Sequence, residues 1–251
     1  MKIVIIGGTG LIGTQLGALL RQGGHTVVAA APSTGVNTLT GEGLAQALQG
    51  AQVVVDVSNS PSFETSAVLR FFETSTRNIT LAAAAARVPH YVALSIVGVD
   101  LPPGNGYFHA KVAQERLIRA SGLPHTIVRA TQFHEFIAAI ADSYTRDGVV
   151  HAPGAGIQTI ASADVAQALA DAVLAAPINA WREIAGPRAQ PIDALLREVL
   201  AARGDPREVR TDHGADYFGA PLQAATLLPG PGASIAPTTW QVWLARTAQG
   251  A

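Results

Sequence analysis

Seven residues, Gly7-Gly8-Thr9-Gly10-Leu11-Ile12-Gly13, constrain this chain more than any other stretch. They follow a short apolar run, Ile3 to Ile6, and open a helical pattern over Leu11 to Gln22. Glycines 7, 10 and 13 satisfy G-x-x-G-x-x-G, and glycines 8, 10 and 13 satisfy G-x-G-x-x-G. In such a turn the missing side chains let backbone amides approach a pyrophosphate at the positive end of a helix, and one glycine lets helix and strand pack closely. The strand–turn–helix setting distinguishes it from glycines that serve a turn alone. Gly7, Thr9, Gly10, Leu11, Ile12 and Gly13 are therefore the expected cofactor contacts.

Beyond this turn, short apolar runs alternate with helical patterns. Ile3 to Ile6, Thr26 to Ala30, Val53 to Val57, Tyr91 to Ser95 and Thr126 to Arg129 read as buried strands. Their near-continuous Val, Ile and Ala content suits a parallel sheet covered on both faces. Helical patterns lie between them at Leu11 to Gln22, Leu44 to Gln49, Glu64 to Arg87 and Val112 to Ala120. This alternation predicts an α/β fold, a doubly wound parallel sheet of right-handed crossovers, with a small C-terminal substrate lobe.

The 251 residues read as a single domain, its lobe built mainly from 131–151 and 186–251. In the lobe, Phe133 to Tyr144 reads as a helix and Val149 to His151 as an extended piece. Ser162 is the expected cap of a helix whose apolar face is Val165, Ala168, Leu169, Ala172 and Val173. Trp181 to Ala185 reads as a last strand, and Pro191 opens a helix through Ala202. Thr238-Thr239-Trp240-Gln241 reads as the capping box of a final helix, and Asp212 to Pro237 as mostly loop.

Composition narrows the function. Apolar residues make up 48% and charged residues 14%, which excludes a disordered chain. Seventeen basic residues against 18 acidic ones give a net charge of −1, so no field gathers polyanions and no nucleic-acid partner is expected. With no cysteine, disulfides, thiolate metal sites and thiol nucleophiles are excluded. No apolar run is long enough for a membrane helix, and Gly7 stops the N-terminal run short of a secretory signal. A cytoplasmic protein is the expectation.

After the second strand, dinucleotide folds that take NAD place an acid for the ribose 2′-hydroxyl. Here the chain reads Ala30-Ala31-Pro32-Ser33-Thr34-Gly35, with no acid before Glu42. Ser33 and Thr34 can donate to a 2′-phosphate, so NADP(H) is preferred over NAD(H), although no arginine is present and Ser/Thr/Gly also suits an ordinary turn.

Tyr107 and Lys111 stand at i and i+4, on one helical face. A nearby ammonium favours phenolate and lowers a tyrosine pKa, moving the phenol toward proton donation near neutrality. Ser95 ends the Tyr91 to Ser95 strand, at the edge where such sheets form their ligand crevice. The plainer alternative pairs Lys111 with Glu115 and leaves Tyr107 a half-buried aromatic at a helix start.

With these residues in hand, the chain resembles the short-chain dehydrogenase/reductase superfamily. More narrowly it resembles the atypical NmrA-like, NAD(P)H-binding branch, through Val53-Val54-Val55-Asp56, Thr76-Arg77-Asn78, Ala93-Leu94-Ser95, Arg129-Ala130-Thr131-Gln132-Phe133 and Ser162-Ala163-Asp164-Val165-Ala166. The resemblance implies a catalytic set: Tyr107 as proton donor to a substrate carbonyl, Ser95 orienting the carbonyl oxygen, and Lys111 holding the nicotinamide ribose. It implies Ser58 and Asn59 beside the cofactor, Thr131, Gln132 and Phe133 flanking the nicotinamide, and Asn78 in a structural role. The expected activity is NADPH-dependent reduction of a small-molecule carbonyl, a ketone or quinone. The branch also implies a non-catalytic NADP(H) sensor as an alternative, and the superfamily an epimerase-type enzyme.

Among the remaining candidates, His134 begins the helix that roofs the substrate crevice. It reads as a polar substrate contact or second acid, or as a helix-start histidine satisfied by backbone. His109 points off the Tyr107/Lys111 face into solvent. His213 lies near Asp212 and Asp216, but no metal-binding spacing occurs and no metal is expected. Trp240 and Trp243, three apart on the last helix, read as core or as the face of a homodimer.

Overall fold

The computed structural model describes residues 1–100, 106–219 and 221–248. Its main sheet has seven strands, all parallel: β1 Lys2–Ile6, β2 Thr26–Ala30, β3 Val53–Asp56, β4 Tyr91–Ile96, β5 His125–Ala130, β9 Ala180–Ala185 and β12 Ser234–Ile235. Their spatial order is β12-β9-β5-β4-β3-β1-β2. The chain steps outward from β1 to β2, then returns past β1 to β3. That reversal opens the crevice in which doubly wound sheets hold their ligands, at the carboxyl ends of the strands.

Both faces of the sheet are buried, which is why these strands lack apolar–polar alternation. Ile3, Ile5, Val53, Val55, Val92 and Val128 face helices α1 (Leu11–Gln22) and α6 (Ser162–Leu174). Val4, Ile6, Val54, Tyr91, Ala93 and Ile127 face α2 (Leu44–Leu48), α3 (Thr65–Ala85) and α4 (Gly106–Ala120). A third core belongs to the C-terminal lobe, where α5 (Ile137–Ser143), α7 (Ile192–Ala202) and α8 (Trp240–Ala248) pack Ile137, Ile140, Leu195, Leu196, Val199 and Trp240. The lobe also holds β6 (Thr145–Arg146), β7 (Val149–Ala152) and β11 (Glu208–Thr211) as a small sheet, plus the pair β8 (Gly156–Ile157) and β10 (Gln190–Pro191).

Four local expectations are corrected. Helix α4 begins at Gly106, six residues before the predicted start, so Tyr107 and Lys111 share one helix. A Cβ on Gly106 would lie 2.5 Å from Thr65 Oγ1, so only glycine lets α4 start against α3. The predicted helix over Phe133 to Tyr144 is a tight turn at His134–Phe136 followed by α5. Ser162 is the first residue of α6 rather than its cap; the Glu135 carboxylate accepts its N–H instead. At α8 the capping hydroxyl is Thr239, which accepts from Val242 N, while Thr238 donates its hydroxyl to Asp164. Pro102 to Asn105, which lead into Tyr107, lie outside the described residues.

Candidate active site

The glycine turn shows which of its members the protein needs for its own packing. Gly7 has φ +80°, and a Cβ there would sit 2.9 Å from the Ser58 backbone. At Gly8 it would meet Ala29 Cα at 2.7 Å, and at Gly13 the Gly7 carbonyl oxygen at 2.3 Å. These three positions bring β1, β2, α1 and the segment after β3 into contact. Gly10 differs: its φ is −80°, it is exposed, and a Cβ would meet only Gly7 O, at 3.4 Å. No side chain caps α1, so its first N–H groups take no side-chain partner, beside exposed Thr9, Gly10 and Leu11. Ile12 turns its side chain into the core and offers the crevice backbone alone. An uncapped helix N-terminus behind an open glycine fits a pyrophosphate.

Beyond β2, Pro32–Thr34 forms a single helical turn. The Thr34 hydroxyl accepts from Ala31 N at 2.9 Å and lies 2.9 Å from Ala29 O and 3.0 Å from Ala31 O, so it closes its own turn. Ser33 is exposed and is the hydroxyl that remains outward. Asn78, on α3, donates to the carbonyls of Thr38 and Leu39 and ties down the loop that follows.

At the end of β3 lies a polar cluster whose members are up to 58 positions apart in the sequence. Asp56 is 1% exposed and takes four hydrogen bonds from neutral donors. Oδ1 accepts Ser58 N (3.0 Å) and Ser58 Oγ (2.6 Å); Oδ2 accepts Tyr91 OH (3.0 Å) and Gln114 Nε2 (3.0 Å). Ser58 thus lies under the glycine turn with its hydroxyl already used, and Asn59 accepts from Ser60 N. Burial, reinforced by Asp56, holds the Tyr91 phenol far above its ordinary range.

Gln114 passes the cluster on to Lys111, whose buried Nζ donates to Gln114 Oε1 and, at 2.8 Å, to the carbonyl of Leu94. Two of the ammonium's three donors are committed, which leaves one for a ligand. The Phe72 ring lies 4.5 Å from Nζ. Burial pulls the Lys111 pKa down to about 8 against the pull of Asp56 and Glu115. The alternative Lys111–Glu115 pair does not form: Glu115 is 2.8 and 2.7 Å from Nε and Nη2 of buried Arg129, and 2.5 Å from Arg119. Arg129 also reaches Asp100, at 2.6 Å, and lies under the Trp181 ring.

Strand parity places Ser95. Val92 and Leu94 face α1 and α6, so Tyr91, Ala93 and Ser95 face α4, the helix of Tyr107 and Lys111. Ser95 is 1% exposed and its Oγ has no hydrogen-bond partner. Tyr107 packs between Phe63 (6.1 Å between ring centroids) and Phe72 (5.9 Å). Here the electrostatic expectation fails: burial pushes the Tyr107 pKa up to about 12, with no lowering by Lys111, whose ammonium is drawn to Leu94 and Gln114. His109 is exposed, as its helical position predicts.

After β5, Thr131 is buried with an unpartnered Oγ1, Gln132 O accepts from Ile160 N, and Phe133 stacks on Phe136. His134 is buried against Trp240 and Trp243, and neither ring nitrogen makes a hydrogen bond of good geometry. Burial lowers its pKa, opposed by the Thr238 backbone, Glu135 and Asp164. Trp240 is 5% exposed and lies in the lobe core, while Trp243 donates to Glu135. Among the described residues no cluster of metal-ligating side chains occurs, and no helix is long and apolar enough to cross a membrane.

With this geometry in place, the match of residues 7–176 to the family described as NAD(P)H-binding is decisive. The chain belongs to the NAD(P)H-binding family. This NAD(P)H-binding protein is 29% identical over 163 residues to the (4-alkanoyl-5-oxo-2,5-dihydrofuran-3-yl)methyl phosphate reductase of Streptomyces griseus. That overlap takes in 60% of this chain and 54% of the relative, so the match spans about half the curated relative's length. Among solved structures, MoeE5 with UDP-glucuronic acid and NAD matches at TM-score 0.74 and 22% identity over 100% of both chains. The dTDP-4-dehydrorhamnose reductase of Bacillus anthracis with NADP matches at TM-score 0.73 and 13% identity, over 100% of this chain and 98% of that one. UDP-N-acetylglucosamine 4-epimerase of Bacillus cereus matches at TM-score 0.73 and 17% identity, over 100% and 97%. At these identities the solved structures describe a shared fold.

Proposed function

We propose that this NAD(P)H-binding protein is a reductase of a small carbonyl compound, a ketone or quinone, using NADPH in preference to NADH. The observation that carries the reading is the buried, unpartnered Ser95 hydroxyl on the Tyr107/Lys111 face, at the strand ends that the glycine turn borders. A buried hydroxyl without a partner costs about 1–3 kcal/mol, a cost that a bound carbonyl oxygen removes. The curated relative is a reductase, which supports the reaction class.

The chemistry a bound nicotinamide supplies is hydride transfer from its C4. The chain's own groups do the rest. Ser95 donates to the carbonyl oxygen and fixes its direction. Tyr107, fully protonated at neutral pH, delivers its phenolic proton to that oxygen as negative charge develops. The free donor of Lys111 holds the ribose. Thr131, Gln132 and Phe133 flank the ring, and Ser33 meets the 2′-phosphate.

A panel of carbonyl substrates with NADPH tests the assignment. Tyr107→Phe should lose about 10²-fold or more in kcat, the usual contribution of a general acid. Full turnover by that variant refutes Tyr107 as the donor. The elevated Tyr107 pKa and the commitment of Lys111 to Leu94 and Gln114 favour a second reading, a non-catalytic NADP(H) sensor. That reading predicts tight cofactor binding, different affinities for the two redox forms, and no oxidation of NADPH by any member of the panel.

A further inference from the structure

Asp56 lies between two parts of the site that the fold otherwise keeps apart. Its Oδ1 holds Ser58 by both backbone N–H and hydroxyl, and the Ser58 backbone is the surface against which Gly7 is pressed. Its Oδ2 takes Gln114 Nε2 from α4, and the other end of that amide faces Lys111 Nζ. Lys111 in turn holds the carbonyl of Leu94, the residue before Ser95. The carboxylate, the amide and the ammonium are all buried, at 1%, 1% and 3% exposure. Each is a group that burial penalises unless it is paired.

We infer that Asp56 and Gln114 are positioning residues for this site, one carboxylate fixing the floor of the dinucleotide turn through Ser58 and the ammonium of Lys111 through the Gln114 amide. The inference rests on the reading that Lys111 faces the bound dinucleotide. The geometry is directional. Gln114 spends its donor on Asp56 and therefore presents its oxygen, not its NH2, to the ammonium. A carboxylate accepts on both oxygens, whereas an amide accepts on one and donates on the other. Asparagine at position 56 must then either face its NH2 to the Ser58 N–H, or face Gln114 and force it to flip, turning its NH2 onto Lys111.

The charges around Lys111 set the sign of the test. Asp56 comes from β3 and Glu115 from α4, the latter neutralised by Arg129 of β5 and by Arg119. Tyr91 of β4 and Tyr107 of α4 stay protonated, and α3 presents the uncharged Phe72 ring. Asp56 is thus the carboxylate here that no cation neutralises directly. Removing its charge makes Lys111 easier to deprotonate, while adding a carboxylate at 114 makes it harder.

The experiment is NADPH binding followed by fluorescence titration across pH 6–10, a readout that needs no turnover. In the unsubstituted protein affinity falls as Lys111 loses its proton. With Asp56→Asn the midpoint of that fall should move to lower pH by about half a unit or more, and affinity at pH 8 should drop at least about twofold. With Gln114→Glu the midpoint should move to higher pH. Opposite shifts support the positioning role, because a merely structural loss weakens binding in both variants at every pH. Unshifted midpoints, or shifts of the same sign, overturn it; if Asp56→Asn does not fold, Gln114→Glu alone decides by the direction of its shift. Should no carbonyl be reduced while the shifts appear, the reductase reading falls and this inference stands.

Discussion

Alanine placed at two glycines of one turn separates binding from folding. At Gly13 the new Cβ would sit 2.3 Å from Gly7 O and 2.6 Å from Gly8 Cα, both backbone atoms of a turn already fixed by hydrogen bonds to Ala30 O. Neither can rotate away, so α1 must shift off β1, an overpacking that costs about 1–3 kcal/mol. At roughly 2–4 °C per kcal/mol for a chain of this size, Gly13→Ala should lower Tm by about 2–12 °C. At Gly10 the sole close atom is Gly7 O at 3.4 Å and φ is −80°, which alanine adopts freely. Two small effects oppose there: alanine caps a helix worse than glycine, and it lowers unfolded-state entropy by about 0.4–1 kcal/mol. Gly10→Ala should therefore leave Tm within about 2 °C. Its methyl group nonetheless occupies the space a pyrophosphate would approach, so NADPH affinity should fall at least tenfold, about 1.4 kcal/mol. Thermal denaturation and fluorescence titration on the same samples measure both. Unchanged NADPH affinity in Gly10→Ala would refute the argument that the open side of this turn faces the cofactor.

Two further perturbations test the buried charges. Glu115→Gln removes the carboxylate that holds Arg129, itself 2% exposed; breaking such a pair costs about 3–5 kcal/mol, and urea denaturation should show a loss of that order. A loss under 1 kcal/mol would mean that Asp100 and the Trp181 ring suffice for the guanidinium. Lys111 makes a pH prediction with a definite sign. Its folded pKa of about 8 lies below the unfolded value, so between about pH 8 and pH 10 the unfolded chain binds the extra proton and stability rises with pH. The buried tyrosines act oppositely above pH 10, because they keep their protons in the folded state. Lys111→Met should flatten the rise between pH 8 and 10, as read from denaturation midpoints in buffers of matched ionic strength.

The sequence makes the main sheet legible because burial on both faces leaves an uninterrupted apolar run, and β2 and α1 fall on the predicted residues. It misplaces the start of α4 because Gly106 follows Pro102 to Asn105 and carries no apolar period, while the reason for that glycine, Thr65, lies 41 positions away. The caps of α6 and α8 are misread for the same cause. Ser162 and Thr238 have capping side chains, but Glu135 and Asp164, distant in the chain, compete for them. The Asp56 cluster joins positions 58 apart, a spacing no local pattern encodes. One signal was present: Asp56 closes an otherwise valine strand and Arg129 lies within an apolar one. A charge in a doubly covered strand must bring a partner with it.

What the buried polar groups leave unpaired bears on the site as much as what they pair. Asp56, Lys111, Gln114, Glu115 and Arg129 all find partners, yet Ser95 Oγ and Thr131 Oγ1 do not. Ser75 and Thr76 on α3 are likewise unpartnered, but a helical hydroxyl has carbonyls one turn back within reach of a small rotation. Ser95 is the penultimate residue of β4 and Thr131 follows β5, neighbouring strands in register Ser95 to Arg129 and Ile96 to Ala130, so neither has such a carbonyl behind it. Leaving them open costs about 1–3 kcal/mol each, which alanine at either position would avoid. Two such hydroxyls, near the carboxyl ends of adjacent strands, carry a cost that a ligand with oxygen atoms would remove. A carbonyl substrate would bring such an oxygen, and this supports the proposed reductase.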